Sequence, residues 1–210
     1  MEYHTINMDE YPRKEHFQYF SELPDPTLGI TVKVDVSRLV KFCKVRDCSF
    51  YLAMTHVACL AANRIPQLRQ RTRGKDIIEY SECGTSHIEL LDNETYCYCT
   101  LWHGMEWEQF ITYSEARREE AKGSPSLDED DNVDALYFIT CLPWLSYDQL
   151  SMPSTGEASD NPHFCWGRFE EDFKGRLMMP FTLTVNHALM DGIHISRFFS
   201  VLQDEIDSLP

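Results

Sequence analysis

Three absences bound what this 210-residue sequence can do. It has no basic excess: 34 Asp and Glu stand against 19 Lys and Arg, a formal net charge of −15. That balance opposes general attraction to phosphate backbones, so nucleic acid is not an expected partner, although a local basic pocket can still hold a small anion. No apolar run approaches the roughly 20 residues that span a bilayer, so a membrane is not expected either. Finally, Met1-Glu2-Tyr3-His4 has neither a basic region nor an apolar stretch followed by small residues. No secretory signal is visible there, and a cytoplasmic location is the expectation.

A metal framework is also missing. Cys97-x-Cys99 with His103 is the nearest approach, but structural zinc sites need a second spaced ligand pair, so no metal is expected. The eight cysteines (Cys43, Cys48, Cys59, Cys83, Cys97, Cys99, Cys141 and Cys165) sit mostly inside apolar segments and read as free buried thiols. What is present is ample core material, with 43% hydrophobic and 12% aromatic residues. That excludes a disordered chain, and the length suits one domain over residues 1–210.

Periodicity and punctuation outline the path. Arg13 to Leu23 has helical spacing and ends at Pro24-Asp25-Pro26. Gly29 to Asp35 alternates as a half-buried strand. Ser37 is positioned to cap a short helix through Val45, and Ser49 a longer one through Asn63 with Leu52, His56, Cys59 and Leu60 on one face. Residues 76–80, 87–91 and 95–101 read as strands, 105–122 as a helix, and the acidic stretch 123–132 as a solvated loop. Strands follow at 135–140 and 178–185, the latter with Pro180 near its start, which suggests an edge or a bulge. The last helix carries the stripe Ile195, Phe198, Phe199, Leu202 and Ile206. Helices and mixed strands in one composition regime predict an α/β two-layer sandwich, a mixed β-sheet flanked by helices.

The segment with chemistry in it is Val185-Asn186-His187-Ala188-Leu189-Met190-Asp191-Gly192. A neutral imidazole at the end of a buried strand can take a proton from a hydroxyl or thiol and return it to a leaving group. The same residues also suit a purely structural role, His187 satisfying a buried carbonyl and Asp191 capping the helix that begins at Gly192. The spacing alone does not choose between them.

Other segments accompany this one in order: Arg13-Lys14-Glu15-His16-Phe17, Phe50-Tyr51-Leu52-Ala53, Leu101-Trp102, Leu142-Pro143-Trp144 and Pro180. With H-x-x-x-D-G, their order and approximate spacing resemble the chloramphenicol acetyltransferase family from end to end, as a divergent member. The resemblance implies a chloramphenicol acetyltransferase-like fold, a homotrimer with its active site between subunits, and acetyl-CoA as cosubstrate. The implied reaction is direct O-acetylation of a small hydroxylated acceptor, with chloramphenicol as one candidate. It further implies His187 as general base, Asp191 and Arg13 as the ion pair that holds its loop, and Thr140 at the position of the family's transition-state serine. Arg168, Phe169 and Tyr51 fall on the cofactor side, and Tyr19, Phe20, Tyr98, Leu150 and Met152 at acceptor-pocket positions.

Three departures stand out. Thr140 keeps the hydroxyl but adds a methyl group and a stiffer χ1. Asn186 replaces a second histidine found in members active on the antibiotic. Ser49 replaces a lysine that meets the nucleotide phosphate, which predicts weaker CoA affinity. These leave open a non-catalytic binding relative that kept the fold. Acyl transfer to a dihydrolipoyl domain is disfavoured, since this sequence shows no lipoyl module, but it stays open because another polypeptide could carry one. Cys141, beside Thr140, is expected to face away from it and not to serve as a nucleophile.

Overall fold

The computed structural model describes residues 1–128, 130–152 and 160–209. The elements in chain order begin with β1 (Tyr3–Thr5), α1 (Lys14–Ser21), β2 (Thr27–Asp35), α2 (Ser37–Arg46) and α3 (Phe50–Asn63). There follow β3 (Gln70–Arg73), β4 (Asp76–Tyr80), β5 (Gly84–Leu90), β6 (Tyr96–Leu101) and α4 (Trp107–Gly123). The chain closes with β7 (Leu136–Leu142), β8 (His163–Gly167), β9 (Glu170–Glu171), β10 (Leu177–Asn186) and α5 (Gly192–Asp207). Glu129, within the acidic stretch, lies outside the described residues.

The main sheet has the order β2-β10-β8-β7-β5-β6, with β9 added beside β10. It is mixed: β5–β7 and β7–β8 run parallel, whereas β10 is antiparallel to β2, β8 and β9, and β5 to β6. A small sheet, β1-β4-β3, stands apart from it. The principal core joins Phe42 of α2, Met54 of α3 and Phe198 of α5 to Tyr137, Phe164, Trp166 and Phe181 of the sheet. Phe164 stacks on Phe198 at 5.3 Å and Trp166 on Phe181 at 5.6 Å. Each such pair adds about 1 kcal/mol to the burial of its rings. Helices over a mixed sheet are the expected fold class.

Several local expectations need correction. Ser37 does not cap α2; Val36 precedes the first turn, and the Ser37 hydroxyl instead donates to Asp35 and accepts from the Leu177 N–H. Ser49 does cap α3, accepting from the Leu52 N–H at 3.4 Å. α3 is not amphipathic: ten of its fourteen residues are buried, because it lies in the middle of the helical layer. Pro180 marks no edge. β10 is paired with β2 from Met178 to Asn186, and on its other side Pro180 sits in the gap between the β8 ladder (181–184) and the β9 ladder (177–178).

Two smaller clusters matter for function. Phe17 of α1 and Ile77 of β4 bury Ala188 and Leu189 of the segment after β10. Leu52, Cys99, Leu101 and Phe110 fasten α4 to β6. All eight cysteines are free thiols. No described helix is long and apolar enough to cross a membrane, and no group of three potential metal-ligating side chains occurs among the described residues.

Candidate active site

β10 ends at Asn186, and the turn that follows is tied down at nearly every residue. The His187 N–H donates to Pro26 O at 2.7 Å, and the Ala188 N–H to Asn186 Oδ1 at 2.9 Å. Asn186 Nδ2 donates to Asp160 Oδ1 at 2.8 Å. Asparagine therefore supports the loop on which His187 stands, with both ends of its amide used.

The imidazole is fixed in the same detail. His187 Nδ1 lies 3.0 Å from Met190 O. A carbonyl only accepts, so Nδ1 carries the proton and the neutral ring presents its lone pair at Nε2. Asp191 Oδ1 is 3.2 Å from the same Nδ1, and its other oxygen forms an ion pair with Arg13 Nη1. Arg13 Nη2 also donates to His187 O at 3.2 Å, so one guanidinium holds both ends of the turn. Phe20 stacks on the imidazole, centroids 3.9 Å apart.

Behind this group, the main-chain N–H of Asp191 donates to His194 Nδ1 at 2.9 Å. That bond requires His194 to be unprotonated at Nδ1. Burial, reinforced by Arg13 and Arg197, lowers its pKa to about 4, so the neutral ring is the stable form.

A separate cavity of about 460 Å³ lies along the main sheet. Tyr51 of α3 borders it, as do Trp166, Arg168 and Phe169 in and after β8, Thr140 and Cys141 of β7, Ile88 and Glu89 of β5, and Tyr96 of β6. Gly167 also borders it, and a Cβ there would meet Leu145 O and the Tyr147 ring. The Thr140 hydroxyl has no partner among the described residues and is free to donate. Cys141 touches the cavity too, contrary to the expected alternation, while also packing on the core. Burial, followed by the neighbouring Cys165, raises its thiol to about 12, which leaves no useful thiolate.

The chain matches the chloramphenicol acetyltransferase family over residues 1–203. It belongs to that family. A chloramphenicol acetyltransferase of Klebsiella sp is 24% identical over 98% of this chain and 94% of its own, and one of Clostridium perfringens 25% over 99% and 100%. A solved chloramphenicol acetyltransferase superposes with a TM-score of 0.84 at 23% identity, covering 98% of this chain and 100% of the other. A probable dihydrolipoamide acetyltransferase from Listeria monocytogenes shares the fold at a TM-score of 0.71 and 15% identity, over 97% and 93%. The enzyme class is accordingly that of an acyltransferase.

As a member of the chloramphenicol acetyltransferase family, the chain distributes its expected site residues over two places. Arg13, Phe20, His187 and Asp191 form one group; Tyr19, 64% exposed, meets it only edge-on through Phe20. Tyr51, Thr140, Arg168 and Phe169 share the cavity. Phe169 packs on Phe50 at 5.5 Å, and Arg168 is half exposed with Glu170 at 3.3 Å. Ser49 is spent on its helix cap and offers no cation. Tyr98, Leu150 and Met152 do not border the cavity, and neither does His187.

Sequence reasoning missed Glu89, Arg118 and Tyr96 in the cavity wall and His194 behind Asp191. His194 carried a readable signal, since it stands three residues after a helix cap, where capping boxes place a side-chain acceptor. Glu89 and Arg118 carried none, being 29 residues apart on a strand and a helix.

Proposed function

We propose that this protein transfers the acetyl group of acetyl-CoA to a hydroxyl of a small acceptor, with chloramphenicol as one candidate and His187 as general base. The observation that carries this reading is the bond from His187 Nδ1 to Met190 O, which fixes the ring and, in the neutral tautomer, puts the lone pair on Nε2. Nε2 takes the hydroxyl proton as the oxygen bonds to the thioester carbon. Thr140 Oγ1 donates to the resulting oxyanion. As the C–S bond breaks, the imidazolium returns the proton to the departing thiolate. Tyr51, Arg168 and Phe169 bind the cosubstrate on the β8 side of the cavity. Tyr19, Phe20, Tyr98, Leu150 and Met152 contact the acceptor in the assembled enzyme.

The chain acts as one domain and a homotrimer in this reading. The support is geometric: His187 lies away from the cavity that Thr140 borders in the same chain. Each site would combine the base of one subunit with the cavity of the next. Mixing tests this. His187→Gln and Thr140→Val proteins, each nearly inactive alone, should regain activity when unfolded together and refolded, because some interfaces then carry both intact halves. No recovery in hybrids of demonstrated trimeric mass would refute the shared site.

A further inference from the structure

The wall of the cavity is mostly apolar, yet it contains a charged cluster that the acyl-transfer chemistry does not use. Glu89 is buried, its side chain only 4% exposed. Arg118 holds it with two bonds, Nε to Oε1 at 2.6 Å and Nη2 to Oε2 at 2.9 Å. Lys122 Nζ stands 3.3 Å from Oε2, and His87 Nε2 3.2 Å from Oε1. Burial opposes the charge on Glu89, but the bonds from His87 and Arg118 and the Arg118 charge outweigh it and hold the carboxyl at about 2. Burial keeps His87 neutral, so its Nε2–H is the donor to this carboxylate.

The free capacity of the cluster is on the donor side. Glu89 already accepts two bonds from Arg118 and one from His87, with an ammonium alongside, so it has little left for a ligand. Arg118 has used Nε and Nη2; Nη1 has no partner among the described residues, and the side chain borders the cavity. One carboxylate faces two cations, a local positive excess in a protein of charge −15. Arg118 shares this cavity with Ile88, Leu90, Tyr96 and Trp166 and its side chain is 25% exposed, so its guanidinium is suited to a planar oxyanion entering there.

Strand order fixes where that anion would sit. The cavity crosses β8, β7, β5 and β6 in sequence, so Thr140 on β7 lies between Arg168 and Phe169 on one side and Glu89 and Tyr96 on the other. With the cosubstrate on the β8 side, the acceptor occupies the β5–β6 side. We infer that the natural acceptors are hydroxylated carboxylic acids whose carboxylate is bound by Arg118. This inference rests on the acyl-transfer reading for the identity of the acceptor end, and on the cluster itself for the anion.

Trp144 and Trp166 border the cavity, so intrinsic fluorescence reports binding. The full-length protein is titrated with 4-(hydroxymethyl)benzoate and with its methyl ester. The acid should bind about tenfold or more tightly, as expected for one charge-assisted interaction in an apolar wall. Because Arg118→Met alone would strand a buried carboxylate, the comparison is the neutral pair Glu89→Gln/Arg118→Gln, with its fold checked by circular dichroism. This variant should bind both probes within about twofold of each other. Equal binding by the unaltered protein, no binding of either probe, or a preference that survives in the double variant would each overturn the inference. CoA release measured with the same probes separates the two readings. Preferential binding of the acid without any acetylation would leave the anion site standing and count against acyl transfer. Faster acetylation of the ester would do the reverse.

Discussion

The rings of Phe20 and His187 are 3.9 Å apart and within 17° of parallel. Phe20 therefore limits rotation of an imidazole whose other constraints, Met190 O and Asp191 Oδ1, both act at Nδ1. Phe20→Ala removes a contact worth on the order of 1 kcal/mol, so kcat should fall about five- to tenfold with little change in KM for acetyl-CoA. Phe20→Tyr retains the stack and should retain most of the rate. Steady-state kinetics on the two variants separates ring support from simple loss of volume; equal losses would deny the stacking role.

Thr140 and Cys141 are neighbours with opposite prospects. Thr140→Val is nearly isosteric and removes only the donor to the oxyanion, which should lower kcat about 10²-fold, close to 3 kcal/mol. Thr140→Ser should hold or raise the rate. Cys141→Ala should leave kcat within about twofold, because a thiol raised to about 12 supplies almost no nucleophile near neutrality. A thioester trapped on Cys141 and visible by mass spectrometry would refute direct transfer.

Acid should destabilise the fold through its buried histidines. Burial lowers both His56 and His194 to about 4, whereas in the unfolded chain a histidine titrates near 6.5. Between those values the unfolded chain binds more protons, so the stabilisation is fully present above about pH 6.5 and is lost as pH falls towards about 4. Urea unfolding at about pH 7.5, 5.5 and 4.5 should show this decline, and His194→Gln, which keeps an acceptor for the Asp191 N–H, should flatten part of it. Constant stability across that range would contradict the assignment of neutral, buried rings.

How far the sequence could be read depended on the range of the interactions concerned. The α5 stripe of Ile195, Phe198, Phe199, Leu202 and Ile206 was plain, since a helix face repeats within a few residues; four of the five are buried and Phe199 is partly buried. The same rule misjudged α3, because a helix enclosed by neighbours has no solvent face to write a pattern. Strands β1, β3, β8 and β9 were not anticipated; β1, β3 and β9 have four residues or fewer, too short for alternation to stand out, and β8 lacks the β-branched pair, Ile77 and Ile78, that marks β4 at the same length. In the site, His187 and Asp191 were legible as a local motif, and Arg13 only through family resemblance, being 174 residues from the turn it holds. The cavity was the least legible part. Four strands and two helices build its wall, and nothing local in Glu89 announces that Arg118 will meet it.

The most direct measurement is acceptor-dependent release of CoA thiol from acetyl-CoA, followed with a panel of hydroxylated acceptors for the unaltered protein and for His187→Gln. General-base catalysis by His187 predicts release that requires both substrates and falls about 10²-fold or more in the variant, while thermal stability and acetyl-CoA binding are preserved. Release that is undiminished in His187→Gln would contradict the role of His187, and no acceptor-dependent release from the unaltered protein would contradict the proposed reaction.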